Sequence, residues 1–161
     1  MAESREAFAR STAFRLREEE VFVSIQRTAD LLSERLERLL KPAGLSPTQY
    51  NVLRILRGAG DAGCSCGEIG ERMVTRDPDV TRLLDRLERR GLVARSRERK
   101  DRRVITIRIT AEGLALLASL DEMLEQFHRR ELSHLGDPGL CSLLQLLARI
   151  REQGRVSAGS A

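Results

Sequence analysis

The spacing of apolar residues predicts a long helix at the start of the chain. Between positions 15 and 41, apolar side chains recur at alternating intervals of three and four, at Phe22, Ile25, Ala29, Leu32, Leu36 and Leu39. This period places them along one stripe of a helix. Pro42 and Gly44 end the helix. Residues 1–14 show no clear period and are predicted to be a flexible tail.

Three shorter helices follow, each opened by a capping signal. Residues 46–49, Ser-Pro-Thr-Gln, form a capping box with proline at the first helical position, and Ser65 with Glu68 forms a second box. Asp77-Pro78 opens the third helix, and Gly91 ends it. The predicted helices cover about 47–57, 65–73 and 78–90. The apolar face of the third helix consists of Val80, Leu83, Leu84 and Leu87.

The period then changes from helical to extended. Residues 92–97 are a strand candidate, and residues 104–110 are β-branched at most positions, with Ile105, Ile107 and Ile109 on one face. Residues 98–103, six consecutive charged residues, separate the two segments. Two strands around a polar loop predict a β-hairpin.

Two further helices are predicted after the hairpin. Thr110 caps the first, which ends near Leu135, and Gly136-Asp137-Pro138 separates it from the second; residues 156–161 are predicted to be another flexible tail. Their apolar stripes are Leu117, Leu120, Leu124 and Phe127, then Leu140, Leu143, Leu144, Leu147 and Ile150. Because the outer helices hold more leucine than so short a core would use, we expect them to bury it in a partner. The fold class is mainly α with a small β-hairpin: a helix-turn-helix followed by a wing.

Composition excludes several classes of function. Among the 161 residues there are four Phe, one Tyr and no Trp, too few rings for a protein that stacks single-stranded bases. No apolar run approaches the roughly 18–20 residues that span a bilayer, and no signal peptide is visible. Three cysteines, an odd number, favour a reducing cytoplasm over a disulfide framework. Catalytic motifs such as a phosphate-binding glycine loop are absent, so neither an enzyme nor a cofactor is predicted.

The positive charge is concentrated in the middle of the chain. Residues 72–108 contain 13 Arg and Lys against six Asp and Glu, a net charge of +7, whereas the remainder carries −3. A basic segment confined to one supersecondary unit indicates double-stranded DNA binding. The alternative is a mixed-charge solvated surface, because the six acids are interleaved.

The third short helix has the pattern of a recognition helix. Residues opposite or beside its apolar face are Thr81, Arg82, Asp85, Arg86 and Arg89. Such residues can reach base edges in a major groove. Arg76 precedes the helix, whose N-terminus can meet a phosphate. The structural alternative is pairing of Asp79 or Asp85 with arginines of the same helix, which would orient those arginines.

Three stretches of sequence are typical of one family. They are LSPTQY at 45–50, VTRLLDRLERRGLV at 80–93 and DRRVITIRIT at 101–110. Together with the helix order, they resemble the MarR (multiple antibiotic resistance regulator) family of winged helix-turn-helix transcription factors over about residues 15–155. The Asp-x-Arg of the wing is the most specific element.

The resemblance implies a cytoplasmic homodimer that acts as a ligand-responsive repressor at a pseudo-palindromic duplex. The helical dimerisation region would be 15–41 and 110–155, and the DNA-binding domain 45–109. The residues assigned to dimerisation are Phe22, Ile25, Leu32, Leu124, Phe127, Leu143 and Leu147. A small anionic or phenolic effector would bind between the two regions.

The resemblance also assigns roles within the DNA-binding domain. Residues 78–90 would be the recognition helix and 92–109 the wing. Arg103 matches the arginine at the wing tip that enters the minor groove, and Asp101 matches the acid that holds it. The residues assigned to phosphate contacts are Arg99, Lys100 and Arg102.

Two cysteines are candidates for regulation. Cys64 and Cys66 lie at the start of the second short helix, where a helix N-terminus lowers the pKa of a thiol. Thiol or metal sensing through this pair is therefore an alternative function, and a winged-helix protein-interaction module is another. Cys141 is predicted to be a small buried residue. No metal site is predicted, because His128 and His134 are six residues apart and do not share a helix face.

Overall fold

The structure is a computed structural model that describes residues 14–74, 79–97 and 105–158. Two compact units divide the chain, Met1–Tyr50 and Asn51–Ala161. The helices are α1 (Arg17–Leu40), α2 (Pro47–Ala59), α3 (Cys66–Arg72), α4 (Val80–Arg89), α5 (Ala111–Leu132) and α6 (Gly136–Ala158), and the strands are β1 (Val93–Arg97) and β2 (Ile105–Ile109). The predicted mainly α fold with one hairpin is confirmed, in the predicted order of elements.

The first unit contains α1 and the start of α2. Helix α1 ends where predicted, because Pro42 lies in a short 3-10 turn and Gly44 adopts the left-handed conformation with φ of 65°. The capping box of α2 is confirmed: the Gln49 backbone N–H donates to Ser46 Oγ at 3.1 Å, and the Ser46 N–H donates to Gln49 Oε1 at 3.0 Å. Local sequence therefore determines both helix boundaries.

The second capping box opens α3 in the second unit. The Glu68 N–H donates to Ser65 Oγ, and the Ser65 N–H donates to Glu68 Oε2 at 2.7 Å. The Ser65 backbone N–H lowers the pKa of the Glu68 carboxyl. The capping contribution is thus present above the ordinary pKa of a glutamate and is lost as the pH falls through the lowered folded-state pKa.

Helix α4 begins later than predicted. Its N-cap is Asp79, whose side chain accepts the Arg82 N–H, and its first residue is Val80. The predicted cap, Asp77-Pro78, lies outside the described residues. A carboxylate that accepts a free backbone N–H of the first turn suffices to start the helix at Val80.

The two strands form an antiparallel hairpin that also pairs with residues before α3. The register joins Val93 to Ile109, Arg95 to Ile107 and Arg97 to Ile105. Cys64 adds an isolated antiparallel bridge to Ile107, with both backbone hydrogen bonds formed. Of the isoleucines predicted to share a face, Ile107 is buried, whereas Ile105 is 46% exposed because it pairs at the far end of the ladder. The hairpin is thus attached to the helix-turn-helix by backbone pairing.

Helix α5 is anchored to both the hairpin and α2. Thr110 caps it as predicted, accepting the Gly113 N–H at 3.1 Å. Arg57 Nη1 donates to both carboxylate oxygens of Asp121 at 2.9 Å. Leu124 and Phe127 are buried within the single chain, at 2% and 5% exposure. The assignment of these two residues to a dimer interface stays a prediction.

Helix α6 differs from the sequence prediction at three points. It begins at Gly136, although Gly136-Asp137-Pro138 was expected to be a break between helices, and it runs to Ala158, into the segment expected to be a tail. Cys141 is exposed rather than buried. The short 3-10 turn Ser133–Leu135 separates α5 from α6, and Gly136, with φ of 63°, is the first residue of α6.

Gly113 is expected to tolerate no side chain. A Cβ built there would lie 2.3 Å from the Leu92 carbonyl oxygen and 2.7 Å from Ile109 Cγ1. Because a backbone oxygen cannot move aside, Gly113→Ala should destabilise the protein by about 2–4 kcal/mol, at or above the usual range for overpacking. Thermal unfolding measures this effect. Gly67→Ala is the control, since nothing lies within 4 Å of a Cβ there; equal melting temperatures for the two variants would contradict the prediction.

Candidate nucleic-acid interface

Helix α4 has one buried and one exposed face. Leu83, Leu84 and Leu87 are almost fully buried, which holds the helix on the core of the second unit. The predicted outward residues Thr81, Arg82, Arg86 and Arg89 are exposed, and Asp85 is half-buried. The amphipathic pattern thus fixes which side chains face solvent.

Asp79 and Arg82 form an ion pair at the start of α4. Arg82 Nε lies 3.0 Å from Asp79 Oδ2, and the Arg82 backbone N–H donates to Asp79 Oδ1 at 3.1 Å. The predicted pairing of Asp79 with an arginine of its own helix is therefore present. The Arg82 side chain is nevertheless 78% exposed.

Asp85 pairs with an arginine that sequence reasoning missed. Arg95 Nη1, from β1, lies 2.6 Å from Asp85 Oδ1 and 3.1 Å from Glu88 Oε2. Its Nη2 also donates to the Thr81 carbonyl at 3.4 Å. The expectation that Asp85 pairs with an arginine of its own helix is thus corrected. In the sequence, the sign of this contact is a basic residue at an inward position of β1. Which acids Arg95 contacts depends on how the chain folds.

The arginines in the second half of α4 are held more loosely. Arg89 Nε donates to the Asp85 carbonyl at 3.3 Å. Within the described parts of the chain, the Arg86 guanidinium makes no hydrogen bond or ion pair. Both side chains are exposed, so they add positive charge to the outer face of α4.

The hairpin carries a second positioned arginine. Arg108 Nε donates to the Asp61 carbonyl at 2.7 Å, and Nη1 donates to Ser96 Oγ at 2.5 Å. These bonds connect β2 to β1 and to the turn before α3. The other predicted contact residues lie outside the described residues: Arg76, Arg99, Lys100, Asp101, Arg102 and Arg103.

The two candidate sensor cysteines differ in access. Cys64 is 2% exposed, and its Sγ accepts a weak hydrogen bond from Arg72 Nη1 at 3.6 Å. Cys66 is exposed at the first position of α3. Within residues 14–74, 79–97 and 105–158, no three His, Cys, Asp or Glu side chains are grouped to hold a metal ion. No helix in the same ranges is long and apolar enough to cross a membrane.

Arg95 is expected to stabilise the attachment of α4 to the hairpin. Arg95→Ala would leave Asp85 and Glu88 without their shared cation, although the three side chains are partly exposed. We expect a loss of about 1 kcal/mol, near the upper end for ion pairs in contact with solvent, and a fall in melting temperature of roughly 2–4 °C. Arg129→Ala is the control, because Arg129 pairs with exposed Glu125 on the same helix. An Arg95→Ala variant as stable as Arg129→Ala would contradict this role.

Helices α3 and α4 followed by the β1–β2 hairpin define a winged helix-turn-helix protein. A family model described as MarR family matches residues 43–104. The crystal structure of a MarR transcription factor from Planctomyces limnophilus is 38% identical, with a TM-score of 0.64 over 84% of this chain and 98% of that chain. This chain therefore belongs to the MarR family of transcriptional regulators.

Two further relatives describe the functions found in the family. The HTH-type transcriptional regulator MhqR of Bacillus subtilis is 28% identical over 119 residues, which cover 69% of this chain and 81% of MhqR. The transcriptional repressor CouR of Rhodococcus jostii, solved on a 23-mer DNA duplex, is 28% identical, with a TM-score of 0.73 over 87% of this chain and 99% of CouR. CouR has also been solved with p-coumaroyl-CoA. These relatives are transcriptional regulators, a non-enzymatic role.

Proposed function

We propose that this chain is a homodimeric repressor that binds a pseudo-palindromic duplex operator through α4 and the β1–β2 hairpin. The observation that carries the proposal is the exposed arginine face of α4 above its buried leucines. A helix anchored in this way can enter a major groove with its outward side chains at base edges. The DNA partner implies that the protein acts in the cytoplasm.

The acids interleaved in the basic segment do not oppose this proposal. Asp79 is paired with Arg82, while Asp85 and Glu88 share Arg95. Arg82 balances Asp79, and Arg95 balances one of the two negative charges of Asp85 and Glu88. With Arg86 and Arg89 added, the outer face of α4 keeps a net positive charge. A cationic surface of this kind is attracted to phosphates at any sequence.

The remaining contacts are proposed from the family motif. Arg103, held by Asp101, would enter the minor groove next to the site read by α4. The cations Arg99, Lys100 and Arg102 would contact phosphates, and Arg76 would contact the backbone near the start of α4. Phosphate contacts set position and affinity, whereas base contacts set sequence preference.

The proposed dimer rests on apolar side chains exposed on the outer helices. On α1 these include Val21, Phe22 and Ile25, and on α6 they are Leu143, Leu144, Leu146 and Ile150. Leu32 and Leu147, also assigned to the interface, are half-buried. Exposed apolar surface of this kind is typical of an interface, and an obligate dimer buries more than about 2,000 Å² in total.

A small-molecule effector is part of the proposal, in the manner of the ligand-bound CouR structure. Such an effector would release the operator only if it binds the two dimer states with different affinity. Sensing through Cys64 and Cys66 is less favoured, because Cys64 is buried.

Selection of bound sequences from random duplex DNA tests the proposed function. We expect two inverted half-sites whose centres are about one helical turn, roughly 10 base pairs, apart, since each protomer of a twofold dimer presents one recognition helix. Absence of any enriched sequence, with weak binding that is insensitive to salt, would instead favour the protein-interaction alternative.

A further inference from the structure

We infer that Asp79 positions Arg82 to read a guanine in each half-site, so that the first turn of α4 carries the strongest base preference of the protein. This inference rests on the proposed function and adds to it a specific base and a positioning residue. Asp79 would act through Arg82 rather than contact DNA itself.

The Asp79 carboxylate has two separate roles in the structure. Its Oδ1 accepts the backbone N–H of Arg82 and caps α4, while its Oδ2 binds Nε of the same residue. The cap alone does not require a charge, because serine or asparagine serves equally well at this position. A carboxylate facing DNA is repelled by phosphates, and its charge-assisted contact with Nε of Arg82 offsets that repulsion.

The contact with Nε leaves the two terminal amino groups of Arg82 available to contact a base. Within the described ranges, the two terminal amino groups of Arg82 have no other partner, and the side chain is 78% exposed. An arginine recognises guanine by placing two donors on O6 and N7. A guanidinium already held at Nε loses less conformational freedom when it makes that contact.

The other arginines of α4 lack this arrangement. Among the described residues, Arg86 has no partner and Arg89 bonds only a backbone carbonyl. Recognition helices contact bases mainly through their N-terminal residues, and Arg82 is the third residue of α4. Arg82 therefore combines the position and the orientation that base reading requires.

Selection from random duplexes, combined with affinity measurements on the full chain, separates positioning from capping. Asp79→Ser keeps a capping oxygen and removes the contact with Nε. Arg82→Ala should abolish one guanine preference and weaken binding to the selected operator by roughly tenfold to a hundredfold per half-site. Asp79→Ser should lower discrimination at that same guanine by about threefold to tenfold, and it should add nothing in an Arg82→Ala background.

A second readout distinguishes positioning from a merely structural role. Asp79→Ser removes a negative charge, so binding to random duplex should stay equal or strengthen while guanine discrimination falls; a damaged fold would weaken both. Glu71→Ser, at an exposed position on α3, makes the same charge change and should leave the guanine preference unchanged.

The possible results distinguish failure of the proposed function from failure of the positioning role of Asp79. If the parent protein selects no sequence, the proposed function is wrong, and the inference is wrong with it. If the parent selects a palindrome and Asp79→Ser keeps the full guanine preference, or lowers it equally with and without Arg82, only the positioning role is overturned. Arg82→Lys provides a further check, because lysine keeps the charge but lacks the two-donor fork and should also lose the guanine.

Discussion

Raising the salt concentration from 50 to 200 mM is expected to weaken operator binding by roughly 10⁴- to 10⁵-fold, the largest effect expected for this protein. The 13 Arg and Lys of residues 72–108 supply the cations for about four or five phosphate contacts per half-site, or roughly eight to ten in a dimer. Each contact releases condensed counterions, so the slope of log K against log salt should be near −7 to −9.

Fluorescence anisotropy with a labelled operator over a range of salt concentrations measures this slope. Arg86→Ala should make the slope shallower by roughly one unit for each phosphate contact that is lost. Arg129→Ala, on the outward surface of α5, should leave the slope unchanged. A parent slope shallower than about −3 would mean that the basic segment is not the DNA-binding surface.

Placing a charge on the apolar face of α6 is expected to dissociate the dimer and weaken operator binding by about a hundredfold or more. Leu144 is 65% exposed in the single chain, so Leu144→Asp should fold normally while burying an unpaired carboxylate in any interface formed there. Two linked recognition helices bind with a high effective concentration that two separate monomers lack. Light scattering and operator affinity measure the two parts of this prediction.

Leu114→Asp is the matched control for the dimer. It adds the same charge to an exposed leucine near the start of α5, outside the apolar residues proposed for the interface. We expect it to remain dimeric. A parent protein that scatters as an 18 kDa monomer at micromolar concentration, or a Leu144→Asp variant that stays dimeric, would contradict the proposed interface.

Short stretches of sequence were sufficient to predict most helix boundaries and to identify the family. Capping boxes at Ser46 and Ser65, the Thr110 cap and the glycine after α1 all act within four residues of the positions they affect. Such contacts are encoded in short stretches of chain, so sequence reasoning located them. The apolar spacing of α4 likewise established which of its residues face outward, because helical period alone divides the faces.

Tertiary structure decided which side chains meet across distant parts of the chain. Arg95 reaches Asp85 and Glu88 only because the hairpin folds back beside α4, and no local pattern encodes that approach. The leucine stripes of α5 and α6 look alike in sequence, yet Leu124 is buried within the chain and Leu144 is largely exposed. Helical period specifies that a stripe needs a partner surface; whether the same chain provides that surface depends on how its elements pack.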